Sequence, residues 1–157
     1  MGGTMVLGVG NPWRGDDGVG PAVVESLRGT LDAGVRLEDA GAPGLALVEM
    51  MLGMAHVIVV DALVDENMAP GQVQVQRPED FPGLAPASHH HGVGLLDALR
   101  FGHRVVPADM PCRLALVTVA IRPPGLEEKL SPPVAAAVAV AAEAVRRLLR
   151  EWREPLT

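Results

Sequence analysis

The chain has 157 residues, 48% of them hydrophobic and only 3% aromatic, with a formal net charge of −6. That length suffices for one well-buried domain and is short for two, and a core of Val, Leu, Ala and Met suits a buried parallel sheet flanked by helices. The acidic balance argues against a nucleic-acid partner, which clustered Lys and Arg would hold, and a lone cysteine, Cys112, excludes an internal disulfide, a zinc-finger cluster and a Cys-x-x-Cys redox pair.

Val6-Leu7-Gly8-Val9 is an apolar run that stops in Gly10-Asn11-Pro12 and is followed by Asp16-Asp17-Gly18-Val19-Gly20. This reads as strand, tight loop and helix, with adjacent carboxylates at the junction that faces a ligand. Gly8-Val9-Gly10 suggests a dinucleotide loop, but Trp13 stands where G-x-G-x-x-G requires glycine, and the two acids would repel a pyrophosphate. Asp16 or Asp17 reads alternatively as the cap of the following helix. The spacing of Val19, Val23, Val24 and Leu27 predicts that helix from Asp17 to about Arg28, with Gly29 as its stop.

Val35-Arg36-Leu37-Glu38-Asp39-Ala40 alternates as a more exposed strand does, and Gly41-Ala42-Pro43-Gly44 breaks it. Leu45 to Leu52 reads as a short packed helix, with Met50, Met51 and Met54 in the core rather than lining a groove. Val57-Ile58-Val59-Val60-Asp61 is the β-branched run of a central strand, expected to end at its carboxylate. In open α/β sheets ligands occupy the crevice beyond the carboxyl ends of the parallel strands, so Asp61 is expected to converge with Asp16 and Asp17. Otherwise it is a cap or turn residue.

After a turn at Ala69-Pro70-Gly71, Gln72-Val73-Gln74-Val75-Gln76 has period two, as in an edge strand with one wet face. Arg77 to Ala87 reads as a surface loop of the kind that borders sites. Ser88-His89-His90-His91-Gly92-Val93-Gly94 then precedes a helix opened by Leu95 and Leu96. Three adjacent imidazoles cannot all point one way, so one is a candidate ligand or acid–base group. His56 and the pair His103-Arg104 read as turn residues without a role. Leu114 to Ile121 is a last buried strand, with Cys112 a small apolar residue beside it and Pro123 and Pro124 as its terminators. Ser131-Pro132-Pro133 starts a long helix to about Trp152, whose charged end is a solvated face.

No basic segment, apolar run and cleavage site mark a secretory signal, and no apolar run approaches the roughly 20 residues that span a bilayer. The expectation is a cytoplasmic protein without a membrane partner. Asp17, Asp61 and one histidine, with Asp16 as neighbour, would suffice to hold a borderline divalent ion such as zinc, nickel or manganese with positions left open. Neither a Gly-x-Ser-x-Gly elbow nor a His-Glu-x-x-His helix is present.

Taken in order, these motifs resemble the maturation endopeptidases of nickel-iron hydrogenases. The resemblance rests on Gly8-Val9-Gly10-Asn11 with Asp16-Asp17-Gly18-Val19-Gly20, on Asp39-Ala40-Gly41, and on Val59-Val60-Asp61-Ala62. It continues through Pro70-Gly71, His91-Gly92-Val93-Gly94-Leu95 with Asp97-Ala98-Leu99, and Leu130-Ser131-Pro132. It implies one domain over residues 1–157, folded as a three-layer α/β/α sandwich around a five-stranded, mostly parallel mixed sheet. The activity it implies is removal of the carboxyl-terminal extension of a nickel-loaded hydrogenase large subunit, with that precursor as partner; a domain of this size is expected to act as a monomer.

The resemblance carries over the metal-contacting and catalytic residues singly. The acid six positions after Asn11 is Asp17, the aspartate of the central strand is Asp61, and the histidine before the next helix is His91. His90 is the alternative, because a triplet stands where the family has one histidine after a serine. Asp39-Ala40-Gly41 departs slightly from the family's Asp-Gly-Gly. Nickel arrives with the precursor, and zinc or cadmium suits the same donors. A non-catalytic nickel-binding assembly factor would use the same residues. Peptidyl-tRNA hydrolases also have an early strand ending in Gly-Asn-Pro, as in Gly10-Asn11-Pro12, but need an early histidine and a basic face that this chain lacks.

Overall fold

The computed structural model describes residues 2–77 and 95–153. Five strands form one sheet: β1 (Thr4–Val9), β2 (Val35–Gly41), β3 (His56–Val64), β4 (Val73–Gln76) and β5 (Arg113–Ile121), in the order β2-β1-β3-β5-β4. All neighbours are parallel except β4, which runs antiparallel to β5. Helices α1 (Val19–Leu27) and α4 (Pro132–Arg153) cover one face, and α2 (Ala46–Met51) and α3 (Leu95–Val105) the other. The result is the α/β/α sandwich with a mostly parallel, mixed sheet that the resemblance implied.

The two-residue period of a strand explains the layers. Along β3, Ile58 and Val60 pack with Val23, Val24 and Leu27 of α1 and with Val134, Ala141 and Val145 of α4. Val57 and Val59 point the other way, into Leu47, Val48 and Met51 of α2 and Ala98 and Leu99 of α3. A strand apolar on both faces is what a doubly covered parallel sheet demands. No helix among the described residues is long and apolar enough to cross a membrane.

Several elements differ from the sequence expectations. β3 does not stop at Asp61 but continues through Ala62, Leu63 and Val64, because β5 supplies partners as far as Ile121. Its pairing with β1, in contrast, ends at Gly8 opposite Val60, so Asp61 falls where β3 loses one neighbour. The first helix begins at Val19, after a 3-10 turn at Gly15–Gly18. Glycine at position 20 lets this helix start lie directly on the strand ends: a Cβ there would overlap the Val9 carbonyl and stand 2.6 Å from that of Val60.

His103 and Arg104 belong to the last turn of α3, where His103 Nδ1 lies 2.9 Å from the Leu99 carbonyl oxygen. His56 opens β3, 3.3 Å from Thr4 Oγ1, with its ring against Trp152. On β4 the glutamines do not form a freely wet face. Gln74 and Gln76 are partly buried because their register sets them beside Thr118 and Leu116, while Val75 is exposed. The loop expected after Arg77 and the histidines His89, His90 and His91 lie outside the described residues.

Candidate active site

The first wall of the site is the turn between β1 and α1. Gly10 has φ +139°, a conformation that residues with a Cβ resist, and a Cβ there would overlap the Asp17 carbonyl, so the loop folds tightly over this residue. The Gly10 N–H donates to the Gly41 carbonyl at 2.7 Å, which ties the loop to the end of β2. Asn11 then joins the turn to its acid: its N–H donates to Asp17 Oδ2 at 2.9 Å, and its side-chain Oδ1 accepts the Trp13 N–H at 2.9 Å. Asp17 is only 2% exposed.

The adjacent acids have different jobs. Asp16 Oδ1 accepts the Ser131 N–H at 2.7 Å and Oδ2 accepts the Ser131 hydroxyl at 2.8 Å, just before α4 begins. The Gly15 N–H donates to the Glu127 carbonyl, a second tie between the acid turn and the segment after β5. Neither Asp16 nor Asp17 caps its own helix, since no side-chain cap bond is made at the 3-10 turn or at α1.

Asp61 forms the second wall. It stands on the face of β3 that carries Val57 and Val59, partly buried, and its Oδ1 accepts the N–H of Ala62 at 2.8 Å. Burial pushes its carboxyl up to about 8; the Ala62 N–H opposes the shift, and the negative charge of Asp17 adds to it. Asp17, in the turn after β1, and Asp61, just past the last pairing of β3 with β1, both lie at the carboxyl edge of the sheet. Beside Asp61 in register is Thr118 of β5, 5% exposed, whose hydroxyl has no hydrogen-bond partner among the described residues. Sequence reading passed over Thr118 because threonine suits any strand; the signal was a lone hydroxyl in Leu114 to Ile121.

Of the expected site residues, the structure therefore unites Asp17 with Asp61 and assigns Asp16 to holding the turn. Among the described residues no group of three or more His, Cys, Asp or Glu is arranged to hold a metal ion. The two carboxylates suit a divalent cation all the same. Their mutual repulsion is relieved by positive charge between them, and Asp61 Oδ2 accepts no hydrogen bond among the described residues.

Comparison with known proteins identifies the family. The profile of the hydrogenase maturation protease family matches residues 21–148, which takes in Asp61 and starts just past Asp17. The chain is 37% identical over 155 residues to the hydrogenase 2 maturation protease of Escherichia coli K12, covering 94% of this chain and 90% of that protein. It is 35% identical over 156 residues to the hydrogenase expression/formation protein HupD of Rhodobacter capsulatus, covering 94% and 71%. Among solved structures it is similar to the hydrogenase maturating endopeptidase HybD from E. coli, with a TM-score of 0.82, 33% identity and coverage of 94% and 92%. The [NiFe] hydrogenase maturation protease HybD from Thermococcus kodakarensis, at 22% identity, a TM-score of 0.74 and coverage of 92% and 97%, shares the fold. Fold and sequence similarity over nearly its whole length thus converge, and this chain belongs to the hydrogenase maturation proteases, enzymes that hydrolyse peptide bonds.

Proposed function

We propose that this enzyme removes the carboxyl-terminal extension from the large-subunit precursor of a nickel-iron hydrogenase, and that Asp17, Asp61 and His91 hold the nickel the precursor brings. The observation that carries this reading is the pairing of a buried Asp17 with a partly buried Asp61 whose carboxyl is raised to about 8. Two acids whose charges repel at one sheet edge are poor company for each other and good company for a cation.

In the free enzyme burial, with the Asp17 charge adding to it, keeps a proton on Asp61; Asp17 and Asp61 would hold the precursor's nickel as carboxylates, the Asp61 proton passing to solvent. His91 would supply the third donor, an imidazole nitrogen that suits a borderline divalent ion. Nickel there would supply Lewis-acid polarisation of the scissile carbonyl or a bound water, and an acid of the pair would take the attacking water's proton and pass it to the departing amine. Zinc or cadmium would occupy the same donors as stand-ins. A monomer leaves the carboxyl edge open to a folded precursor, and a single cysteine suits the reducing cytoplasm as the place of action.

The test is cleavage of a nickel-loaded precursor, read by mass spectrometry of the released peptide. The parent enzyme is expected to free one defined carboxyl-terminal fragment. Asp17→Ala, Asp61→Ala and His91→Ala are each expected to slow release about 100-fold or more, the scale of losing a positioned catalytic group. Processing at the parent rate by Asp17→Ala or Asp61→Ala would overturn the assignment.

A further inference from the structure

Three exposed large apolar side chains stand on loops at one edge of the sheet. Trp13, 69% exposed, follows β1; Leu45, 45% exposed, follows β2; and Leu126, 90% exposed, follows β5. These strands are parallel, so the three loops leave from the carboxyl edge, where Asp17 and Asp61 meet. In the strand order β2-β1-β3-β5 that edge reads Leu45, Trp13, Asp61, Leu126, with apolar side chains on both sides of the acid.

The rim is braced to the site. Trp13 N–H donates to Asn11 Oδ1, and Asn11 N–H donates to Asp17 Oδ2, each at 2.9 Å. The Gly15 N–H to Glu127 carbonyl bond joins the Trp13 loop to the residue following Leu126. Scattered exposed apolar side chains need no explanation, and Phe101, Val105 and Val140 on the helices are of that kind. A tryptophan held out to solvent by a hydrogen-bonded loop is another matter, because a large ring of little conformational freedom is the usual anchor of a protein interface.

We propose that Trp13, Leu45 and Leu126 form a docking rim for the folded hydrogenase large-subunit precursor, seating an apolar patch of its surface around the base of the extension. The inference rests on the peptidase reading above. Its occupant follows from continuity: a partner that presents a metal to Asp61 must lie across the edge between Trp13 and Leu126. The rim supplies affinity, and the acids supply chemistry.

The experiment compares parent, Trp13→Ser, Leu126→Ser, the double variant, and Val140→Ser as a surface control, all with the nickel-loaded precursor. Each single rim variant is expected to raise KM about tenfold and the double further, with kcat within about twofold of the parent. Melting temperatures should stay at the parent value because the replaced side chains are in solvent, and Val140→Ser should match the parent throughout. A double variant with the parent KM, or with kcat lowered at constant KM, overturns the rim. Asp17→Ala separates the two readings: its failure to cleave beside a parent-like double variant sinks the rim alone, whereas full cleavage by Asp17→Ala beside a raised KM in the double sinks the metal assignment alone. Equilibrium binding of the same precursor, read by interferometry, decides the rim even where no peptide is released: a Kd raised about tenfold in the double upholds it, and an unchanged Kd overturns it.

Discussion

Asp61 couples the site to the stability of the whole protein. Its carboxyl keeps a proton to about pH 8 in the folded state but only to its ordinary value of 3.8 once unfolded. Between those values the native state holds the extra proton, so this group's contribution, complete below 3.8, is lost as pH rises through about 8. Asp61→Asn cannot lose a proton; urea melts at stepped pH should therefore show the variant gaining on the parent steadily from about pH 4 to about pH 8. Parallel curves would refute the buried, protonated carboxyl. Thr118 beside it makes the opposite kind of case. A buried hydroxyl without a partner costs about 1 to 3 kcal/mol, and valine has the same shape, so Thr118→Val should raise the unfolding free energy by about 1 kcal/mol and leave cleavage intact. A loss of stability would reveal a partner for that hydroxyl. At this scale the sequence was half legible: adjacent acids after a glycine-rich turn announced a site, but nothing local says that Asp17 faces inward while Asp16 binds Ser131.

Elements follow sequence wherever their partners are close or their pattern is strong. Val57 to Val60 is β-branched without interruption, and the central strand was plain from it. Its extension to Val64 was not, because Ala62 and Leu63 have no strong preference and the pairing that draws them in comes from β5. Likewise the 3-10 turn ahead of α1 is set by tertiary contacts, chiefly the hold of Ser131 on Asp16 and of Glu127 on Gly15. The Asp16 clamp makes charge-assisted bonds from a partly buried carboxylate, so Asp16→Ala should cost about 2 kcal/mol of stability by chemical denaturation. Cleavage should fall as well, since the same turn carries Asp17. Full activity in that variant would mean that the turn keeps its shape without α4. The opposite end of α4 is held separately: Arg113 Nη1 donates to the Trp152 carbonyl at 2.9 Å, and the His56 ring lies against Trp152.

Across the whole molecule, the candidate site and the lone thiol occupy opposite ends of the strands. The carboxyl edge holds Asp17, Asp61 and the apolar loops, whereas the amino edge holds His56, Arg113 and Cys112. Cys112 is exposed, its thiol 3.1 Å from the Ala55 carbonyl and on the far side of the sheet from the acids. Complete alkylation with iodoacetamide, verified by mass, should therefore leave precursor cleavage within about twofold of the untreated enzyme; inactivation would point to a thiol in the reaction. The sandwich itself could be read from alternating strand and helix patterns, because doubly covered strands must be apolar on both faces and edge strands need not.

The bond between Asp16 and Ser131 joins residues 115 positions apart. A chain emerging from the ribosome amino end first exposes the acid turn long before the residue that clamps it exists. Until α4 begins to form, that turn lacks its Ser131 brace, so the two bonds that hold Asp16 can close only after residue 131 has been made.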